Sequence, residues 1–148
     1  TGLGNRRHGA VLLSHLAPGS TVAMLDLDHF KQVNDALGHG AGDDVLRAAS
    51  RYLRGALRDS DQIARWGGDE FLIVLHGAHE GVRTRMERIR AGWLATSPAA
   101  TFSAGIATHT PGNTPSRTLS QADTAMYHAK RAGRDRIVEH VLMEAAIS

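Results

Sequence analysis

A hairpin signal over residues 61–76 constrains how this chain can fold more than any other feature of the sequence. Apolar β-type residues stand on both sides of the run Gly67-Gly68-Asp69-Glu70. Because glycine enters positive φ without steric cost, a Gly-Gly turn between two such runs predicts a β-hairpin. Its tip then carries two adjacent acids on backbone that a ligand can approach closely. The alternative is a solvated turn that happens to contain Asp and Glu.

A second acidic cluster, Asp26 and Asp28, follows a short apolar run over residues 21–25. The absence of polar alternation in this run predicts a strand buried on both faces, in the middle of a sheet. Asp26 and Asp28 then point to one face and Leu27 to the other. If the strand lies beside the hairpin, Asp26 and Asp69 converge at one edge of the sheet. For Asp28, capping of the following helix is an equal alternative.

Helical and strand periodicities alternate along the rest of the chain, in the order helix, strand, helix, helix, strand, strand, helix, strand, helix, strand. This order predicts an α+β fold with a mostly antiparallel sheet and helices packed on its faces. One helix is predicted to begin near Gly42-Asp43, and a loop over residues 108–117 is predicted to end at a capping box formed by Thr118 and Gln121.

Composition excludes several classes of protein. At 148 residues with 42% hydrophobic and 22% charged residues, the chain suits a single globular domain over residues 1–148. A net charge of +2 with scattered cations predicts no nucleic-acid contact, and no apolar run is long enough to predict membrane contact. With no cysteine, thiolate metal sites are excluded and a cytoplasmic setting is expected. Thr1 in place of Met predicts a domain excised from a longer regulatory protein that is itself free or tethered to a membrane.

The converging acids indicate a chemistry. Neighbouring carboxylates repel one another unless they share a proton or a cation. Oxygen ligands without Cys or paired His favour Mg²⁺, or Mn²⁺ in its place, over zinc. Mg²⁺ held by one or two carboxylates usually completes its coordination with substrate phosphates, so the residues predict a Mg²⁺-dependent enzyme acting on a nucleoside triphosphate.

Other polar residues fit such a substrate. Lys31 can neutralise phosphate charge, and Asn34, three residues later on the same helix face, offers a donor and an acceptor to a base edge. Asp43 can accept from a guanine edge, although its spacing alone favours a helix N-cap. Lys130 and Arg134 can contact phosphates, or simply complement the dipole of a helix C-terminus.

Many separate motifs, taken together, resemble one family. They occur in the order Asp26-Leu27-Asp28-His29-Phe30-Lys31, Asn34-Asp35, Gly42-Asp43, Gly67-Gly68-Asp69-Glu70-Phe71, Ser103-Ala104-Gly105, and Ala122-Asp123 through Tyr127-His128-Ala129-Lys130. In these motifs the chain resembles the GGDEF domains of diguanylate cyclases along almost its full length. The resemblance implies a palm-like fold with a ferredoxin-like core, similar to class III nucleotidyl cyclases. It also implies condensation of two GTP into cyclic di-GMP and two pyrophosphates.

The resemblance implies roles for individual residues. Asp26 and Asp69 would be side-chain Mg²⁺ ligands, with the Leu27 carbonyl as a backbone ligand. The catalytic residues would be Asp69, Glu70 and Lys31, with Glu70 assisting the attacking ribose 3′-hydroxyl either as a base or through the metal.

A GTP-binding set follows from the same resemblance. Asn34 and Asp43 would bind guanine, and cationic side chains and backbone amides would hold the triphosphate. The remaining substrate-binding residues are His29, Phe30, Lys31, Gly67, Gly68, Lys130 and Arg134.

Assembly and regulation are implied as well. Each domain binds one GTP, so two domains must meet face to face as a homodimer. Arg58 and Asp61 match the family's RxxD product-inhibition motif, and Arg88 is placed like its additional arginine. Cyclic di-GMP would therefore be both product and inhibitor, and an upstream sensory or regulatory domain would control pairing.

Three alternatives remain beside this hypothesis. The domain can be a catalytically silent module that binds GTP or cyclic di-GMP. It can be a palm-type cyclase or polymerase with another base preference, although an acceptor-only Asp43 mismatches adenine. It can also be a purely structural dimerisation domain, which would not need clustered acids.

Overall fold

A computed structural model of the protein describes residues 2–77 and 79–141. The order of elements predicted from the sequence is confirmed. The helices and strands are α1 Arg6–Ser14, β1 Thr21–Leu27, α2 Phe30–Leu37, α3 His39–Ala56, β2 Gln62–Arg65, β3 Glu70–Leu75, α4 His79–Ala95, β4 Phe102–Thr108, α5 Pro115–Arg131 and β5 Ile137–Glu139.

The strands form one sheet in the order β2-β3-β1-β4-β5. β1 pairs antiparallel with β3 on one side and with β4 on the other, and β2 pairs antiparallel with β3. Only the β4–β5 pair of this sheet is parallel. All seven residues of β1 are buried, which confirms the prediction of a central strand. The mostly antiparallel α+β sheet is therefore the one expected.

Helices cover both faces of the sheet. Leu25 and Leu27 of β1 pack with apolar residues of α2, α3 and α4, whereas Val22 and Met24 pack with residues of α1 and α5. This division follows from the two-residue period of a strand. The same alternation places Asp26 on the face covered by α5.

α5 approaches β4 with backbone against backbone. A Cβ added at Gly105 of β4 would lie 2.1 Å from the Ala122 carbonyl oxygen and 2.1 Å from the Met126 amide nitrogen. Only a residue without a side chain permits this approach. The consequence is that the last turn of α5 lies over the end of β1.

The start of α3 differs from its prediction. The helix begins at His39, with Gly38 preceding it, so Asp43 lies in the second turn and the N-cap interpretation of Asp43 was wrong. The first turn consists of His39, two glycines and Ala41, and it contains no large apolar side chain. Hydrophobic periodicity therefore does not detect it.

The start of α5 also differs. The helix is capped by Thr114, whose side chain accepts from the Arg117 amide at 3.1 Å, and Pro115 occupies the first turn. Proline is favoured there because the first-turn amides have no partner within the helix. The predicted capping box was wrong, since the Thr118 side chain is buried and donates to the Thr114 carbonyl at 3.3 Å.

Within the ranges described, no helix is both long and apolar enough to span a bilayer.

Candidate active site

The end of β1 and the tip of the β2–β3 hairpin meet, as predicted. The Cα of Asp26 stands opposite that of Glu70 on β3 and that of Ser103 on β4. The Leu27 amide donates to the Asp69 carbonyl at 3.1 Å. The convergence of Asp26 and Asp69 follows from the pairing of β1 with β3 in this register.

Asp26 is a buried carboxylate with one oxygen unsatisfied. Its Oδ2 forms an ion pair with Nζ of Lys130, in the last turn of α5. Its Oδ1 is buried and has no hydrogen-bond donor among the described residues. Burial, and the Asp69 carboxylate within hydrogen-bonding range, raise the pKa of Asp26 to about 7 against the opposing effect of Lys130. A site of this kind favours uptake of a proton or a cation.

The donors present fit a magnesium ion rather than a closed protein cage. In the described part of the chain, no three His, Cys, Asp or Glu side chains are grouped closely enough to hold a metal. Two carboxylates, Asp26 and Asp69, are however what Mg²⁺ or Mn²⁺ requires when water and phosphate supply the other ligands. The unsatisfied Oδ1 of Asp26 is the atom that such an ion would satisfy.

Charges of both signs near Glu70 shift its pKa in opposite directions. Burial raises its pKa, as do the carboxylates of Asp69 and Asp123, while Lys130 and Arg6 act in the opposite direction. Neither Asp123 nor Arg6 was a candidate from the sequence. A signal for Asp123 existed, because it precedes Lys130 by seven residues and two helical turns place both on one face of α5.

The hairpin tip has a different geometry from the predicted one. Neither Gly67 nor Gly68 adopts positive φ, so conformational freedom does not explain them. The Trp66 amide donates to the Glu70 carbonyl at 2.8 Å, and Arg65 donates from Nε and Nη2 to the carbonyls of Gly67 and Gly68 at 3.2 and 2.6 Å. A Cβ at Gly67 would lie 2.4 Å from Glu70 Oε1, whereas one at Gly68 would meet open space. Gly67 makes room for Glu70, and Gly68 leaves the tip accessible.

The N-terminus of α2 presents backbone amides that have no partner within the helix. His29 precedes the helix in the left-handed region with φ 55°, and its side chain makes no capping hydrogen bond. Amides of the first helical turn are free of intrahelical partners and attract anions. His29 and Phe30, for which the resemblance implies contact with phosphate, lie at this helix start, and the Lys31 side chain is exposed beside them.

Asp28 does not cap α2, so that alternative was wrong. Asp28 is 3% exposed, and its carboxylate accepts from the hydroxyls of Thr101 at 2.7 Å and Ser103 at 2.6 Å. It also accepts from the Asp135 amide at 3.0 Å. Three donors from outside α2 occupy the side chain, and none of them is predictable from the local sequence.

Asn34 and Asp43 come together where α2 meets α3. The half-buried Asn34 packs so closely on Gly42 that a Cβ there would lie 1.7 Å from Asn34 Oδ1. The Gly38 amide donates to the Asn34 carbonyl at 2.8 Å and fixes the turn between the helices. Asp43, the residue after Gly42, is exposed next to this contact.

The sequence predicts Lys130 and Arg134 together at a helix end. Lys130 lies within α5, but Arg134 lies beyond its end. α5 ends at Arg131, and Arg134 occupies the following turn with φ 65°. The Arg134 amide donates to the Ala129 carbonyl at 3.0 Å, which folds the turn back against the helix. Lys130 contacts Asp26 directly, while Arg134 is half-buried one residue from the amide that Asp28 holds.

A second candidate site lies between α4 and the segments that flank β2 and β3. It is a cavity of about 510 Å³ that contains three arginines and two of the three residues predicted for product inhibition. Its lining residues are Arg58, His76, Gly77, Gly81, Val82, Thr84, Arg85 and Arg88.

Asp61, the third residue predicted for product inhibition, is buried and its side chain binds other parts of the fold. Its side chain is 0% exposed and forms an ion pair with Arg85. It also accepts from the amides of Arg58 at 2.9 Å and His76 at 3.2 Å. Burial alone would raise the pKa of Asp61, but these donors outweigh it and lower the pKa. Arg85 was missed because nothing in its spacing distinguishes it from the other arginines of α4.

The chain matches one protein family over most of its length. The family model described as "Diguanylate cyclase, GGDEF domain" matches residues 1–136. The chain belongs to the GGDEF family. Among curated relatives, diguanylate cyclase DgcP of Pseudomonas aeruginosa is 43% identical over 78% of this chain and 18% of its own length. Probable diguanylate cyclase DgcC of Escherichia coli is 38% identical over 92% of this chain and 41% of its own length.

The GGDEF domain therefore spans less than half the length of either relative. Among solved structures, the GGDEF domain of DgcB from Caulobacter crescentus, in complex with c-di-GMP, has a TM-score of 0.86 and 30% sequence identity. The similarity covers 95% of this chain and 92% of that one. It confirms the palm-like cyclase fold expected from the sequence.

Proposed function

We propose that this GGDEF domain is a Mg²⁺-dependent diguanylate cyclase that condenses two GTP into cyclic di-GMP and two pyrophosphates. The observation that carries the proposal is the buried Oδ1 of Asp26, which has no donor among the described residues and belongs to a side chain within hydrogen-bonding range of the Asp69 carboxylate. A dimerisation domain has no need of such an atom. Both residues are intact, which also favours an enzyme over a silent binding module.

In this proposal one GTP lies across the ends of β1 and the hairpin. Asn34 and Asp43 bind the guanine edge at the α2–α3 contact. The amides of His29 and Phe30 contact the triphosphate, together with the cationic side chains of Lys31, Lys130 and Arg134. Gly68 leaves room for the nucleotide against the hairpin, since a Cβ there would meet nothing within 4 Å.

Asp26, Asp69 and the Leu27 carbonyl would hold the Mg²⁺. When bound, the ion would neutralise phosphate charge and support the attacking hydroxyl. Lys130 also stabilises the charge of Asp26, because its ammonium group forms an ion pair with that carboxylate.

The chemical step needs two copies of the domain. The 3′-hydroxyl oxygen of one GTP forms a bond to the α-phosphorus of the other, the bond from that phosphorus to pyrophosphate breaks, and the hydroxyl proton is released. A second, symmetric step closes the ring. Glu70 is suited to receive the proton, because its raised pKa makes it a stronger base than an ordinary glutamate. Two domains in a face-to-face homodimer supply both reacting groups.

The activity is tested by incubating the protein with GTP and Mg²⁺ and measuring cyclic di-GMP and pyrophosphate. Glu70→Gln should abolish product formation while GTP binding persists. Glu87→Gln, which makes the same change at an ion-paired residue of α4, is the matched control and should remain active. GTP binding without product in the unaltered protein would favour the silent module instead.

Dimerisation is tested by dilution. The rate per domain should fall as the protein concentration falls below the dissociation constant of the dimer. A rate per domain that is independent of concentration would contradict the homodimer.

The arginine-lined cavity is proposed as a product-inhibition site. Arg58 and Arg88 can stack on and donate to guanine, and Arg85 lines the same space. In this proposal Asp61 shapes the site, because its side chain is fully buried and paired with Arg85. Arg58→Ala should relieve inhibition by cyclic di-GMP without loss of the initial rate, and unchanged inhibition would reject the site.

We also propose that the domain works in the cytoplasm as part of a longer protein, in which an upstream sensory or regulatory domain controls pairing. The relatives are much longer than this chain, which supports the proposal. Fusing the domain to a dimeric coiled coil should raise the rate at low concentration, and an unchanged rate would argue against control by pairing.

A further inference from the structure

We infer that Asp28 is a positioning residue that fixes the direction of Arg134 by holding the turn after α5. The inference rests on the proposed function, in which Arg134 contacts the triphosphate. Asp28, which directly follows β1, thereby has a role separate from metal binding and from helix capping.

The turn that carries Arg134 has an unfavourable backbone. Gly133, Arg134 and Asp135 have φ angles of 124°, 65° and 47° in succession. For residues other than glycine, the left-handed region is unfavourable and persists only when neighbouring contacts enforce it. Such a turn needs contacts that hold it, and the structure supplies them from Asp28, from Arg136 and from an ion pair between Arg90 and Asp135.

The peptide group between Arg134 and Asp135 is held at both ends. Its N–H donates to Asp28 Oδ2 at 3.0 Å, and its carbonyl accepts from Arg136 Nε at 2.9 Å. Because the N–H and C=O bonds of a trans peptide project to opposite sides of its plane axis, hydrogen bonds to both fix the rotation of the whole group. The preceding peptide is held as well, through the Arg134 amide on the Ala129 carbonyl. The two peptide groups that flank the Arg134 Cα are then fixed, and so is the direction of the Cα–Cβ bond from which its side chain extends.

Asp28 is in turn rigidly held. The hydroxyls of Thr101 and Ser103 donate to it at 2.7 and 2.6 Å, and the Asp28 amide donates to the Thr101 carbonyl at 2.8 Å. A buried carboxylate with three donors has one orientation available. It connects the ends of β1 and β4, which form the floor of the site, to a turn 107 residues later in the chain.

The experiment measures binding of two ligands. A GTP analogue with a methylene group between the α- and β-phosphorus (GMPCPP) reports base and triphosphate contacts without turnover, and GMP reports mainly the base. Loss of the charge-assisted bond in Asp28→Ala should weaken GMPCPP binding by about tenfold, since roughly 1.4 kcal/mol corresponds to that factor, and should leave GMP within about threefold.

Asp28→Asn should retain GMPCPP affinity. The Asn carbonyl oxygen can accept from the Asp135 amide and from Thr101, and its NH₂ group can donate to the Ser103 hydroxyl. Ser103→Ala is the second variant in case Asp28→Ala does not fold, and it should weaken GMPCPP binding by a smaller factor. Arg117→Ala, an exposed arginine at the start of α5, is the control and should bind both ligands normally.

A double-mutant cycle identifies the route of the effect. In an Arg134→Ala background, Asp28→Ala should cause almost no further loss of GMPCPP binding, because its effect acts through Arg134. Additive losses, equal weakening of GMP and GMPCPP, or an Asp28→Asn variant as weak as Asp28→Ala would each overturn the inference. If Arg134→Ala alone leaves GMPCPP binding intact, the phosphate role of Arg134 in the proposed function fails, and the inference fails with it. If the unaltered protein binds neither ligand, the proposed function fails as a whole.

Discussion

Lys130 Nζ forms an ion pair with Asp26 Oδ2 across 104 residues of sequence, and it opposes the rise in the pKa of Asp26 that burial and Asp69 produce. Removing each neighbour should therefore move this pKa in opposite directions. Lys130→Met should raise the pKa of Asp26 above about 7, and Asp69→Asn should lower it. Carboxyl carbon chemical shifts followed against pH measure both changes. Shifts in the same direction in the two variants would contradict this electrostatic account.

Magnesium should stabilise the protein more at pH 8 than at pH 5.5. In the unfolded chain Asp26 loses its proton near pH 4, but in the metal-free folded protein it keeps the proton up to about pH 7. Metal-free stability attributable to Asp26 therefore falls between these two values as the pH rises. At pH 5.5 a proton competes with the ion for Asp26, and at pH 8 it does not.

Thermal unfolding with and without Mg²⁺ measures this difference. Asp26→Asn should remove most of the magnesium effect at pH 8. Asp44→Asn, at an exposed carboxylate paired with Arg47, is the control and should retain it. A magnesium effect that does not depend on pH would argue against Asp26 as a ligand.

Asp123 should raise the pKa of Glu70. Because its carboxylate raises the pKa of Glu70, Asp123→Asn should lower that pKa. If Glu70 receives the hydroxyl proton, the acid limb of the rate profile should then move to lower pH. The initial rate of cyclic di-GMP formation, measured against pH, reports the shift. An acid limb that stays in place would contradict an effect of Asp123 on the pKa of Glu70.

Arg85→Ala should destabilise the fold strongly at neutral pH. Arg85 is 11% exposed at the side chain and Asp61 is 0% exposed, so the variant leaves a buried carboxylate without its partner. Breaking such a pair costs about 3–5 kcal/mol. Since the folded pKa of Asp61 is lowered, the stability it contributes is present at neutral pH and is lost as the pH falls through that pKa.

Denaturant unfolding at several pH values checks this expectation. The difference between Arg85→Ala and the unaltered protein should shrink below about pH 4, where Asp61 becomes protonated in the unfolded chain. Arg83→Ala, an exposed arginine on the same helix, should cost little at any pH. Equal costs for the two arginines would contradict the role of the buried pair.

Gly105→Ala should displace α5 and reduce activity together with stability. The added methyl would meet the α5 backbone at 2.1 Å, and overpacking of this kind costs about 1–3 kcal/mol or more. Gly55→Ala is the matched variant, because a Cβ at this α3 position meets nothing within 4 Å. It should stabilise the protein by about 0.5–1 kcal/mol, the helical advantage of Ala over Gly. Unfolding free energies of the two variants should therefore change in opposite directions.

Local sequence signals predicted the sheet and the acids that meet at its edge. The apolar run before Asp26 indicated a central strand, and the glycines before Asp69 indicated a hairpin. These signals succeed because strand burial and turns depend on neighbouring residues. The convergence of Asp26 and Asp69 then followed once β1 and β3 were taken as neighbours. The helix starts were missed at His39 and Pro115, where first turns without large apolar residues carry no periodic signal.

The chain by itself determined which acids and cations are available and which strands bring the acids together. Tertiary structure alone decided the partners of each charge: Lys130 for Asp26, Arg85 for Asp61, and the Thr101, Ser103 and Asp135 groups for Asp28. The physical reason is that the pKa and orientation of a buried carboxylate depend on donors and charges within a few ångströms. Packing brings those groups from distant parts of the chain, where no local spacing rule connects them.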